Sequence, residues 1–252
     1  MTGASPTREE LLAALAEADD QLLRTTADLK PDQVAEPSLL PGWSRGHVLT
    51  HLARNADGFR RVLAGAARGE TVRMYDPQES RDADIEAGAG RALPELLDDL
   101  REAVRALDEQ ISAMPAEAWS FTLEPGRGAV FPAGEALWRR YNEVEYHHVD
   151  LDAGYTPAHW PALFVGRELK LLAERFADRD DVPALLLQDE DTGRAYPLGA
   201  GGGEPSLVVA GPSSGLLAWL SGRAAGDGLT VHRDGVQLAD ARAALPQPPP
   251  MG

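Results

Sequence analysis

Residues 142–155 read NEVEYHHVDLDAGY, and within them Glu143, Glu145, His147, His148, Asp150 and Asp152 offer carboxylate oxygens and imidazole nitrogens in close succession. Such groups hold divalent cations or move protons; on a wet helix face they do neither. Helical spacing sorts them. At about 100° per residue, Leu137, Tyr141, Val144, His148, Leu151 and Tyr155 fall within about 40° of one line, a stripe suited to a core. Glu135, Arg139, Asn142, Glu145 and Asp152 take the side expected to face water, although Val149 and Trp138 share it and imply some cover. Arg140, Glu143, His147 and Asp150 form a third arc beside the stripe. Glu143 and His147 are four apart, so their side chains stand one turn apart on one face and can grip one cation. The pair alone does not select a metal over a salt-bridged face, because E-x-x-x-H recurs by chance. His148 reads as a buried histidine satisfied by a neighbour. Asp150 is either a partner that orients His147 or a structural acid.

A third ligand is available in WSRGHVLTHLARNADGFRRVLAGA (43–66). Val48, Leu52, Ala56, Phe59 and Leu63 mark its apolar stripe; His51 and Asn55 flank that centre, and His47 points further out. A His47/His51 pair is the rival, but it lacks the glutamate of H-E-x-x-H. His51, Glu143 and His147 together make a His₂Glu set from two helices. Three protein ligands with an open fourth position is the pattern of catalytic rather than structural zinc, and nitrogen and oxygen donors also suit nickel, iron or manganese.

Four helices are expected to position these groups. The first spans 8–28 behind a capping box of Thr7 and Glu10. The second starts after Ser44 and ends near Gly65, and a third occupies part of 79–113, with Pro94 in its first turn or at a kink. EPGRGAVFPAG (124–134) reads as a loop before a fourth helix that runs to about Ala153. Together they suggest a four-helix bundle over 1–155. Residues 156–245 change character. A helix at 157–178 and another at 212–222 alternate with short apolar runs and a final strand pair, LTVHRDGVQL, as in a small α+β domain. LGAGGGEP (198–205) reads as a Gly-rich hairpin or loop without a phosphate-cradle pattern. The Pro-rich tail 246–252 reads as disordered. The fold class is therefore mainly α with a small α+β part.

The 252 residues carry a formal net charge of −16 and no cysteine. The charge argues against a nucleic-acid or anionic-membrane surface, and an anionic substrate needs a local arginine. Without cysteine, any thiol chemistry draws its sulfur from outside the chain. No apolar run reaches signal-peptide or membrane-spanning type, so a cytoplasmic protein is expected. Its oligomeric state is open, with a monomer compatible.

LPGWSRGHVLTHLARNADG (40–58) and NEVEYHHVDLDAGYTPAHWP (142–161) together resemble the mycothiol-dependent maleylpyruvate isomerase family, whose N-terminal domain is a DinB-like metal-binding four-helix bundle. SGLLAWLSGRAAGDGLTV (214–231) is similar to that family's small C-terminal domain. The resemblance implies metal ligation by His51, Glu143 and His147, with zinc as the first candidate, and mycothiol as thiol cofactor. It implies an activity role for Arg223 of the S-G-R segment, and it raises Arg54 and Asn55, one turn from His51, as cofactor contacts or bundle salt-bridge residues. The implied reaction converts maleylpyruvate, a small dicarboxylate, to fumarylpyruvate in the gentisate branch of aromatic breakdown. A metal-held thiolate adds to the cis double bond, the bond rotates and the thiol leaves. Arg223 could then bind a carboxylate or the enolate that forms. Two alternatives use the same triad: a mycothiol S-transferase for another electrophile, and a non-catalytic metal- and thiol-binding module.

Overall fold

The computed structural model describes residues 6–75, 80–126, 128–200 and 207–248. The chain divides into two compact units, Met1–Tyr155 and Thr156–Gly252.

In the first unit, α1 (Arg8–Ala27) opens with the Thr7–Glu10 capping box, Thr7 N donating to Glu10 Oε2 at 2.8 Å and Glu10 N to Thr7 Oγ1 at 3.2 Å. Helix α2 (Arg45–Ala67) is capped by Ser44. The expected third helix is two helices, α3 (Ser80–Ala89) and α4 (Leu93–Ser112). The run Gly88-Ala89-Gly90 offers little helix propensity; Ala92 is extended, and Pro94 then sits in the first turn of α4, where its missing N–H costs nothing. The expected loop at 124–134 is a hairpin of β1 (Thr122–Gly126) and β2 (Ala129–Pro132). Its prolines and glycines hid a two-residue alternation that buries Leu123 opposite Phe131. Helix α5 (Glu135–Asp150) follows. Helix α1 packs on α4 and α5, and α2 packs on α4 and α5, so the four long helices close a ring while α3 lies against α2. That close approach needs glycine: a Cβ at Gly88 would stand 2.5 Å from Thr50 Cγ2, and one at Gly46 would run into the Ala89 carbonyl.

One charge crosses the core. Arg140 on α5 is 1% exposed and donates to Asp19 Oδ1 on α1 and to Leu52 O and Asn55 Oδ1 on α2, each at 3.0 Å. A second arginine ties the ends of the same helices. Arg45 Nε donates to Leu151 O at 2.9 Å and Nη2 to Asp152 O at 2.8 Å. It thereby satisfies carbonyls that the end of α5 leaves without helical partners.

The second unit holds α6 (Ala162–Phe176) and α7 (Ser213–Leu220), which pack on each other and on a five-stranded sheet ordered β4-β3-β5-β6-β7. Strand β3 (Leu185–Asp189) pairs antiparallel with β4 (Ala195–Leu198) and parallel with β5 (Leu207–Gly211). Strands β6 (Thr230–Arg233) and β7 (Val236–Gln237) are joined by Asp234 and Gly235 at φ 51° and 82°, the two left-handed positions of a tight hairpin turn. A four-residue α8 (Ala241–Ala244) ends the order. Most of the Gly-rich stretch and the last four residues of the tail lie outside the described residues. No described helix is long and apolar enough to cross a membrane.

Replacing Asp19 by alanine leaves the Arg140 guanidinium buried without its carboxylate. The expected cost is about 3–5 kcal/mol, read as a lower urea midpoint with unchanged slope.

Candidate metal centre

The arc on α5 that the sequence isolates meets His51 on α2. His51 Nε2 lies 2.9 Å from Glu143 Oε2, and His147 Nε2 lies 3.4 Å from the same oxygen. The two imidazoles stand at 89° with centroids 4.5 Å apart. One donor atom from each of the three residues falls within 4.8 Å of the others. His51 is 2% exposed, while the side chain of Glu143 is 34% exposed, so the cluster has a closed floor and an open side. Three convergent donors of N₂O type with one approach left open fit a divalent cation of the catalytic class. His147, in turn, is fixed from behind by Asp150 Oδ2, 2.9 Å from Nδ1, which leaves Nε2 facing the cluster. Asp150 is itself buried.

Charges in the cluster follow from these contacts. Burial pushes the His51 imidazole down to about 4, against the hydrogen bond to Glu143 that favours its charged form. Burial also works to raise the Glu143 carboxyl, but hydrogen bonds from His147 and His51 outweigh it and hold the group well below the usual carboxylate range. Burial opposes the charge on His147, yet its contacts to Asp150 and Glu143 win and raise it. A cation binding at His147 Nε2 must displace a proton, so affinity rises with pH.

The rival pair dissolves. His47 Nδ1 lies 3.1 Å from the Ser44 amide as part of the α2 cap, and Nε2 faces Glu86 at 3.3 Å. Among the described residues, the only cluster of three or more such ligands is His51, Glu143 and His147. Asn55 is 3% exposed and accepts from Arg140; Arg54 bridges to Asp57 at 3.0 Å and to Asp99 at 2.5 Å. Arg223 lies in the turn after α7, its amide donating to Ala218 O at 2.8 Å and its Nη1 to Ser221 O at 2.9 Å.

Two groups at the cluster carry no sequence signal. Trp43 packs edge-on to His51 with centroids 5.5 Å apart and stacks on His47. Arg81 at the start of α3 points Nη2 at His51 Nδ1, 3.2 Å away, and hydrogen-bonds the buried Tyr75. Trp43 stands just before the cap of α2 and Arg81 lies in the range 79–113 expected to hold the third helix, and local spacing aims neither at the cluster.

Glu145 corrects an expectation. It is 2% exposed instead of solvated, accepting from Tyr155 Oη at 2.7 Å. Its neighbour His148 is buried as expected; it lies 2.8 Å from Thr25 Oγ1 and stacks on Tyr155 at 3.7 Å. A helical wheel gives phase but not which phases are covered. Here α1 and α2 take two sides of α5, and the chain turning back through Asp152 (φ 54°) lays Tyr155 over a third.

Known proteins carry the same architecture. The family model of the mycothiol maleylpyruvate isomerase N-terminal domain matches residues 15–152. A crystal structure of a mycothiol-dependent maleylpyruvate isomerase is 28% identical with a TM-score of 0.86, and a histidine-to-alanine mutant of the isomerase is 27% identical with a TM-score of 0.86. In both cases the match covers 97% of each chain. No curated protein sequence matches.

Asp150→Asn removes the carboxylate behind His147 and is expected to weaken zinc binding 10- to 100-fold in a chelator competition. For Glu145, burial pushes the carboxyl up from 4.5 to about 7 despite hydrogen bonds from Tyr155 and Tyr141. Between those values the folded chain keeps a proton that the unfolded chain has released, so this group's contribution to stability falls as pH rises through the window. Glu145→Gln is expected to flatten that fall, measured as the difference between urea midpoints at pH 5 and pH 8 in variant and wild type.

Proposed function

The chain belongs to the mycothiol maleylpyruvate isomerase family, and on that premise we propose that it is a metal- and mycothiol-dependent isomerase that converts maleylpyruvate to fumarylpyruvate. The observation that carries the metal dependence is the convergence of His51, Glu143 and His147 on one point with an open side. These three would hold a divalent cation, with zinc as the first candidate. A cation of this kind supplies positive charge that keeps a thiol ionised near neutral pH. The absence of cysteine from the chain agrees with an external thiol.

The reaction is balanced by the thiol alone. A carbon–sulfur bond forms at the cis alkene, the former double bond rotates, and the same bond breaks to return thiol and trans alkene. The chain's own residues prepare this. Asp150 fixes the ring of His147. Trp43 limits the tilt of His51. Burial keeps the His51 imidazole neutral at working pH, as a ligand must be. Arg223 would provide a guanidinium for a substrate carboxylate, while Arg54, bridged to Asp57 and Asp99, and Asn55, accepting from Arg140, brace α2 beside His51.

Zinc-loaded protein is expected to consume maleylpyruvate and release fumarylpyruvate only when mycothiol is present. Turnover without thiol, or conjugation of thiol to a generic electrophile without isomerisation, overturns the reading; the second result points to an S-transferase. Arg223→Ala is expected to lower kcat/KM by roughly 10- to 100-fold, the worth of hydrogen bonds to a charged group.

A further inference from the structure

The contact between Arg81 and His51 is incompatible with cation ligation by His51. A guanidinium has five N–H donors and no acceptor. Where Arg81 Nη2 meets His51 Nδ1 at 3.2 Å, Nδ1 therefore offers its lone pair, and the ring proton sits on Nε2, which donates to Glu143 at 2.9 Å. A neutral imidazole that gives its Nε2 lone pair to a cation carries its proton on Nδ1 instead. Two donors then face each other, and the contact must break.

We propose that Arg81 is the arm of the metal centre that binds a substrate carboxylate: cation uptake turns its guanidinium away from His51, and the carboxylate takes it over. The proposal rests on the isomerase reading for its substrate class. Three observations favour Arg81 over other arginines of this unit. It already touches the ring of a ligand, so a short swing leaves it beside the cation. Nearby Arg54 and Arg91 are both committed to Asp99, at 2.5 and 2.6 Å, a carboxylate whose side chain is only 20% exposed. The acid paired with Arg81, Asp82, is 70% exposed and holds it weakly. The planar fork of a guanidinium matches a carboxylate in two parallel hydrogen bonds. In a chain of net charge −16, a dianionic substrate needs such a group close to the reacting centre.

The test compares Arg81→Leu and Arg81→Lys with wild type, after circular dichroism shows that the variants are folded. In a chelator competition, Arg81→Leu is expected to bind zinc several-fold more tightly than wild type, because no guanidinium contact has to be broken. Weaker zinc binding would mean that Arg81 supports the ring and would overturn the exclusion. In calorimetry on zinc-loaded protein, maleate serves as a probe dicarboxylate. Arg81→Leu is expected to bind it about tenfold more weakly and Arg81→Lys to recover part of the loss; unchanged maleate binding sinks the carboxylate role. With maleylpyruvate the same loss appears in KM more than in kcat. If wild type fails to isomerise maleylpyruvate, the isomerase reading falls, while the zinc and maleate titrations still decide the role of Arg81.

Discussion

A buried guanidinium sets the register of the bundle. Arg140 carries its charge into the core, where Nη2 meets Asp19 on α1 and Nη1 donates to Leu52 and Asn55 on α2, while Nε has no hydrogen-bond partner. Removing such an ion from water is costly, and the cost is offset only where Asp19, Leu52 and Asn55 meet the guanidinium together. Sliding α1, α2 or α5 by a turn would strand at least one of these groups. The ligands inherit that precision. His51 precedes Leu52, and Glu143 and His147 follow Arg140 by one and two turns. The network that fixes three helices therefore fixes the donor atoms, and the Arg45 clamp at the far end of α5 does so a second time.

Much of this was legible in the sequence, and for a physical reason. Helical phase is a local property, so the stripe of α2, the arc of Glu143 and His147, and the buried phase of His148 could be read from 100° per residue. The cap of α1 could be read from Thr7 and Glu10 because both partners lie within one turn. What depended on distant parts of the chain could not be read. Glu145 is covered by Tyr155 only because the backbone reverses at Asp152, and no wheel records that. Arg81 approaches His51 only because Gly46 and Gly88 let α3 lie against α2, and such packing between helices leaves no trace in helical phase. The hairpin at Thr122–Pro132 was missed because its strands are too short to outweigh their prolines and glycines.

The electrostatics work at two ranges. At long range, 40 acidic residues against 24 basic ones give a field that repels anions. At short range the cluster is assembled from a neutral imidazole, a carboxylate kept ionised by two imidazoles, and the Arg81 guanidinium from α3. Screening confines the first effect at physiological salt, while the partly buried pairs are screened much less. Specificity for an anion in such a protein is a matter of a few ångströms, and it resides in individual arginines.

Each donor of the triad also has a protein partner of its own: His51 has Arg81 and Glu143, His147 has Asp150, and Glu143 has both imidazoles. A zinc finger has almost no hydrophobic interior, and its polypeptide waits for its ion before it can fold. Here the ligands ride on long helices whose apolar interior is made by other residues, so what an ion would add at the cluster is charge and chemistry rather than a core.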